Sequence, residues 1–126
     1  MFPWRHLPAA ARALLSALAA GLILIGCAAP GEPAGSVTVY QPRGAVQCGS
    51  RGTAPEAMAA VLRRAGVAVR ASACGSDGRL RPAQCGAGTG ELNLFEIAAS
   101  DLARAQALGF GPLAELPGAE PVPCRR

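Results

Sequence analysis

Glu91-Leu92-Asn93-Leu94-Phe95-Glu96-Ile97 is the stretch that decides how this chain folds. Its side chains alternate, as successive residues of a strand point to opposite sides of a sheet. Leu92, Leu94 and Glu96 fall on one face, and Asn93, Phe95 and Ile97 on the other. Both faces carry apolar residues, which marks a strand covered on both sides. Such a strand sits in the middle of a sheet and needs neighbours.

The flanking sequence supplies them in two similar halves. Val37-Thr38-Val39-Tyr40 is rich in β-branched residues, ends near Pro42 and reads as a strand. A glycine-rich loop follows, and then a helix. Thr53 is its expected cap, Glu56 is placed to return the capping bond, and Pro55 is tolerated in the first turn. Met58, Val61, Leu62 and Ala65 fall at i, i+3, i+4 and i+7 and form one apolar stripe. Gly66 supplies the stop. Val67 to Ala71 reads as the second strand, and Cys74 to Gly90 as a long glycine-rich connection. After the central strand, Ser100 is the expected cap of a helix over Asp101 to Leu108, ended by Gly109. Leu113 to Leu116 reads as the last strand, before Pro117-Gly118. The order is βαββαβ, a small α+β domain of the ferredoxin-like arrangement. Both helices are expected on one sheet face. The Cys74 to Gly90 loop or the C-terminal tail is expected to cover part of the other.

Upstream, Met1 to Arg12 contains Arg5 and Arg12 and no acidic residue, and Ala13 to Ile25 is uncharged. These are the n- and h-regions of an export signal. The apolar stretch reaches Ala29 and then meets Pro30-Gly31-Glu32-Pro33. That is about 17 residues, short of the roughly 20 that span a bilayer. Leu24-Ile25-Gly26-Cys27 closes this run and resembles the lipobox of bacterial lipoproteins. The resemblance implies cleavage before Cys27 and a diacylglycerol on its sulfur, usually with an N-acyl chain. It divides the chain into a signal peptide (1–26), a lipidated Cys27 with a Pro/Gly tether (27–36) and a domain (37–126). An ordinary cleaved signal and an uncleaved anchor are the other readings of the same residues. The family's sorting habit in Gram-negative cells places aspartate after the cysteine for the inner membrane. Ala28 stands there, which implies the periplasmic side of the outer membrane in such a cell.

Cleavage at that point removes Trp4 and His6 and leaves no histidine, tryptophan or lysine. Setting aside Arg5 and Arg12, ten arginines face eight carboxylates, a formal charge of +2. The arginine-for-lysine bias matches a GC-rich coding sequence. Arg63-Arg64 and the terminal Arg125-Arg126 are the only basic pairs, and no aromatic residues interleave with them. Nucleic-acid binding therefore has no support, and the scattered arginines read as a solvated surface.

With Cys27 assigned to lipid, Cys48, Cys74, Cys85 and Cys124 remain, an even number for an oxidising compartment. Two disulfides are expected to brace a small domain with only Tyr40, Phe95 and Phe110 as aromatic residues. Three pairings are allowed, and sequence does not choose among them. The short intervening loop favours Cys74 with Cys85, which leaves Cys48 with Cys124. A metal site is not expected, since there is no C-x-x-C and no histidine.

The same inventory argues against catalysis. No imidazole or lysine is left to act as a base near neutral pH. Glu91 and Glu96 lie on opposite strand faces, and Glu56 and Asp101 are explained as helix-start residues. No catalytic residue, metal or cofactor is therefore assigned. Gly86-x-Gly88-x-Gly90 precedes a strand, whereas a dinucleotide fingerprint precedes a helix, so it reads as flexible loop. Gly78-Arg79-Leu80-Arg81-Pro82 places two guanidinium groups in a loop bounded by cysteines, and Arg79 and Arg81 are the candidate ligand-binding residues. The expectation is a membrane-anchored envelope protein displaying a non-catalytic binding domain for an envelope protein. The alternative is peptidoglycan: the βαββαβ order resembles the SPOR peptidoglycan-binding domain, in topology alone, and that family uses its sheet face for glycan strands. A small envelope enzyme or metal handler is the third class.

Overall fold

The central stretch becomes β3 (Glu91–Ala98), the middle strand of a five-stranded antiparallel sheet. A computed structural model describes residues 35–125. In chain order the elements are β1 (Ser36–Pro42), α1 (Pro55–Arg64), β2 (Ala71–Ser76), β3, α2 (Leu102–Ala107), β4 (Gly111–Pro112) and β5 (Glu120–Val122). The sheet order is β4-β1-β3-β2-β5. β3 pairs with the whole of β1, from Ser36 opposite Ala98 to Pro42 opposite Leu92. On its other side it pairs with β2, from Ala71 opposite Glu96 to Ser76 opposite Glu91.

The alternation of β3 assigns the two faces as expected. Phe95 and Ile97 lie opposite Val39 and Val37. They form one core with Met58, Ala59 and Leu62 of α1, Val67, Ala105 of α2 and Phe110. Phe95 and Phe110 meet edge to face with ring centroids 5.8 Å apart, a preferred aromatic geometry. Within the stripe predicted for α1, Leu62 is fully buried, whereas Val61 only packs against the core.

The boundaries depart from expectation where local signals compete. Thr53 does not cap α1: the cap position is Ala54, and no side chain closes it. Pro55 opens the helix and holds the residue before it extended, so the turn starts one step later. Thr53 instead accepts a hydrogen bond from the buried Asn93 Nδ2 through its carbonyl, at 2.9 Å. Ser100 does not cap α2 either, because it lies inside a 3-10 turn, Ala99–Asp101, that leads into the helix. Val67 is buried, but no strand forms at 67–70. The ladder with β3 begins only at Ala71 and then runs on to Ser76, through Cys74. At the other end, Leu113–Glu115 is a 3-10 turn and the strand there is the two-residue β4. The tail adds β5, with Val122 opposite Cys74 and Glu120 opposite Ser76.

β4 and β5 occupy opposite edges, so the chain between them must cross the sheet. It crosses the face away from the helices. Leu113 borders a hollow with Thr38, Ala73 and Leu94, and Leu116 another with Tyr40 and Leu92. Leu92 and Leu94 are consequently buried. The C-terminal tail is the cover for this face.

Candidate functional site

Asp77 stands just past the end of β2, and the site is built around it. Its amide donates to the Gly90 carbonyl at 3.0 Å, which ties the start of the long connection to its end. Its Oδ1 accepts the backbone amide of Arg79 at 3.1 Å. Its Oδ2 accepts the Arg81 guanidinium in an ion pair four residues apart. Burial by itself would raise this carboxyl's pKa. The Arg79 amide, the Arg81 guanidinium and the charge of Arg79 outweigh it and hold the pKa below the usual carboxylate value.

The ion pair lies over the glycine run. A Cβ on Gly90 would sit 2.5 Å from Asp77 Oδ1 and 2.9 Å from Arg81 Nε, and one on Gly88 would sit 3.7 Å from Arg81 Nη1. The spacing that reads as flexible loop is, at Gly90, a surface kept bare for this pair, whereas a Cβ on Gly88 would make only ordinary contact. Gly86 has open space around it and plays no such part.

A cleft of about 350 Å³ opens beside the pair. Tyr40, Pro42, Leu92 and Leu116 give it apolar lining, and Asp77, Arg79, Arg81, Thr89 and Glu91 give it polar lining. Thr89 Oγ1 donates to Glu91 Oε2 at 3.0 Å. Leu80, between the two arginines, is fully exposed. A second hollow of about 450 Å³ shares Thr89, Glu91 and Leu92 and adds Arg43, Glu120 and Arg125. Arg43 Nε is buried there without a hydrogen-bond partner among the described residues.

Both candidate arginines therefore reach one cleft, but in different roles. Arg81 is engaged by Asp77, while Arg79 contributes charge and makes no side-chain hydrogen bond among the described residues. Tyr40, Asp77, Thr89 and Glu91 join the site without a sequence motif that marks them. The i,i+4 spacing of Asp77 and Arg81 was the available signal for Asp77. The register that brings Tyr40 opposite Leu94, beside Leu92, has no local signature.

The cysteine pairing is corrected. Cys48 bonds Cys85, and Cys74 bonds Cys124, with Cα atoms 5.0 and 5.1 Å apart. Neither Cys74–Cys85 nor Cys48–Cys124 forms. Loop length favoured the wrong partner because Cys74 belongs to a strand, not to the connection. β5 pairs Val122 with Cys74, which brings Cys124 alongside. Cys85 is carried away by the connection and zipped to the first loop. Gln47 Nε2 donates to Pro82 O at 2.9 Å, Gln47 Oε1 accepts from Gln84 N at 3.0 Å, and Gln47 N donates to Ala87 O at 2.8 Å. Gln47 thus sets Cys48 beside Cys85.

Cys27 and the signal segment lie outside the described residues. Among the described residues, no helix is long and apolar enough to cross a membrane. No group of three or more His, Cys, Asp or Glu among them is placed to hold a metal ion.

No family model, curated protein or solved structure matches this chain. The cleft offers a fixed carboxylate–guanidinium pair, an additional guanidinium, a hydroxyl–carboxylate pair and an apolar floor. That set is suited to holding a ligand with both polar and apolar parts.

Proposed function

We propose that the chain is a lipid-anchored protein of the cell envelope that displays a small non-catalytic binding domain. Its binding element is the cleft bordered by Tyr40, Asp77, Arg79, Arg81 and Glu91. The observation that carries this reading is that all four cysteines after Cys27 are joined in disulfides. Such bonds persist in oxidising compartments, where the Leu24 to Cys27 segment would send the chain. In cell type and membrane the reading follows the lipoprotein resemblance: the periplasmic side of the outer membrane, where there is one.

The fold is read here as the ferredoxin-like arrangement in β4-β1-β3-β2, with α1 and α2 as crossovers and β5 added at the edge. That addition bears on the glycan reading. Leu113 to Ala119 crosses the sheet face that the SPOR resemblance would use, so a peptidoglycan ligand has its place at the cleft and not on the open sheet.

Intact mass of the membrane-extracted chain, with and without reduction and alkylation, tests the address. The expected result is a polypeptide beginning at Cys27, carrying acyl chains, with four alkylation sites that appear only after reduction. Processing of a Cys27→Ser variant at the same site would refute lipid attachment. Retention of the parent on isolated peptidoglycan, lost in Arg79→Ala, is the outcome that favours a glycan over a protein partner.

A further inference from the structure

The strands give the domain two ends, and the arginines at each have different carboxylate neighbours. β1 enters at Ser36, beside the end of β3, and Gly35 O accepts from Ala99 N at 2.7 Å. β2 also starts at this end, with Ala71 opposite Glu96. α1 must therefore finish here. Arg63 and Arg64 form its exposed last turn. Arg70 is exposed just before β2. Arg104, from α2, places Nη1 3.5 Å from the carbonyl of Gly66, just beyond the end of α1. Four arginines separated in sequence thus gather at the end where the chain enters.

Their carboxylate neighbours are few. Asp101 Oδ1 takes Arg104 at 3.3 Å, and Glu96 lies on the sheet face away from the helices. Arg63, Arg64 and Arg70 join no ion pair among the described residues. Basic residues at a helix C-terminus favourably oppose its dipole, which accounts for Arg63 and Arg64. It does not account for Arg70 and Arg104 reaching the same place. The far end has arginines too, Arg43, Arg51, Arg79, Arg81 and Arg125, but there Asp77, Glu91 and Glu120 stand among them. β1 spans seven residues, which separates the two ends by about 20 Å.

We propose that the end bearing Arg63, Arg64, Arg70 and Arg104 docks on an anionic lipid surface and turns the cleft away from it. This rests on the lipid-anchor reading for its occupant. Eight residues lie between Cys27 and the start of β1 at Ser36. A chain that short reaches at most about 30 Å when fully extended and averages about 17 Å when flexible. The arginine end is the one held near the headgroups. Within a Debye length, about 8 Å at physiological salt, each arginine is attracted by anionic lipid. The lipid then gives attachment, and the arginines give orientation.

The test uses the processed chain extracted from membranes and placed in vesicles of phosphatidylcholine, with or without phosphatidylglycerol. Hydrogen exchange is read at 63–70 and at 77–90. Exchange at 63–70 should slow several-fold only in the anionic vesicles, and high salt should abolish the effect. The pair Arg63→Gln/Arg64→Gln should weaken docking about thirtyfold, whereas Arg63→Lys/Arg64→Lys should retain it. Equal exchange in the two vesicle types, protection that survives high salt, or protection at 77–90 instead would overturn the proposal. The mass of the same sample separates the two failures. An acylated chain without protection overturns the docking end alone. A chain without acyl groups that is still protected overturns the anchor and leaves the docking end standing.

Discussion

The two ends of this domain are held together by different physics. Around Phe95 the helices and sheet share an apolar core, and side chains such as Val39, Leu62 and Ile97 are wholly removed from water. Around Asp77 there is little apolar volume to bury. The loops there are held by two disulfides, the Gln47 hydrogen bonds, one ion pair and close glycine contacts. The first kind of cohesion tolerates swaps that keep volume and polarity. The second depends on single groups at fixed positions. A small domain that reserves one end for a cleft cannot fill that end with core, so covalent and polar ties replace packing there.

Core substitutions should have the largest effects. Leu62→Asp buries a charge without a partner and should prevent folding, because such groups cost several kcal/mol. Val61→Asp, one position away on a half-buried side chain, should leave a folded protein with a lowered melting temperature. Phe95→Ala should cost about 3–5 kcal/mol. Equal melting of Leu62→Asp and Val61→Asp by circular dichroism would show that the core is not divided as described. Next come the staples. The chain-entropy model gives about 4 kcal/mol for closing loops of 37 and 50 residues. Replacing Cys48 and Cys85 by serine should therefore cost about as much as a core truncation. Its local signature should differ, with faster hydrogen exchange at 82–90 and little change at 91–98. Non-reducing peptide maps must also show Cys48 with Cys85 and Cys74 with Cys124, and either other pairing would undo this account of the loop end.

The same division explains what the sequence discloses. Periodic side chains announced β1, α1 and β3, because burial on a regular element repeats with that element's period. The alternation of β3 even sorted its faces correctly. The loop end has no period. The partner of Cys74 is fixed by β5, and β5 is three residues, Glu120-Pro121-Val122, with a proline in the middle and no strand pattern. Val67 and Val69 imitate a strand because they pack inward, yet the ladder with β3 begins only at Ala71. Of the cleft, Arg79 and Arg81 were visible as charges. Their neighbours Tyr40, Thr89 and Glu91 came from register and loop closure, which are long-range facts.

Glycine substitutions probe the loop end on a smaller scale. Gly78 and Gly86 both have positive φ, +69° and +87°. Alanine in that region costs about 1–2 kcal/mol from backbone strain alone. At Gly86 nothing lies within 4 Å of an added Cβ, so strain should be the whole cost. At Gly78 the added Cβ would collide with the Gly118 carbonyl, where the tail crosses back towards β5. Gly78→Ala should therefore be the more destabilising in urea titration, and should loosen the tail as well. If the two variants titrate alike, the tail is not seated against the 77–79 turn.

The smallest expected effect isolates the ion pair. Asp77 has its pKa lowered in the folded state, so its contribution to stability is complete above the unfolded value, about 3.9. It is lost as pH falls through the lower, folded value. Asp77→Asn removes the titration while keeping a side-chain acceptor for the Arg79 amide. Parent and variant should therefore differ in melting temperature at neutral pH and converge once the medium is more acidic than the folded pKa. The gap should also shrink in high salt, because both partners are partly open to water and their attraction is screened. A gap that stays constant from neutral to strongly acidic conditions would mean that Asp77 acts through shape. The cleft wall would then be held by the disulfides, the glycine contacts and Gln47 without the ion pair, and Arg81 would have no fixed charge to orient it towards a ligand.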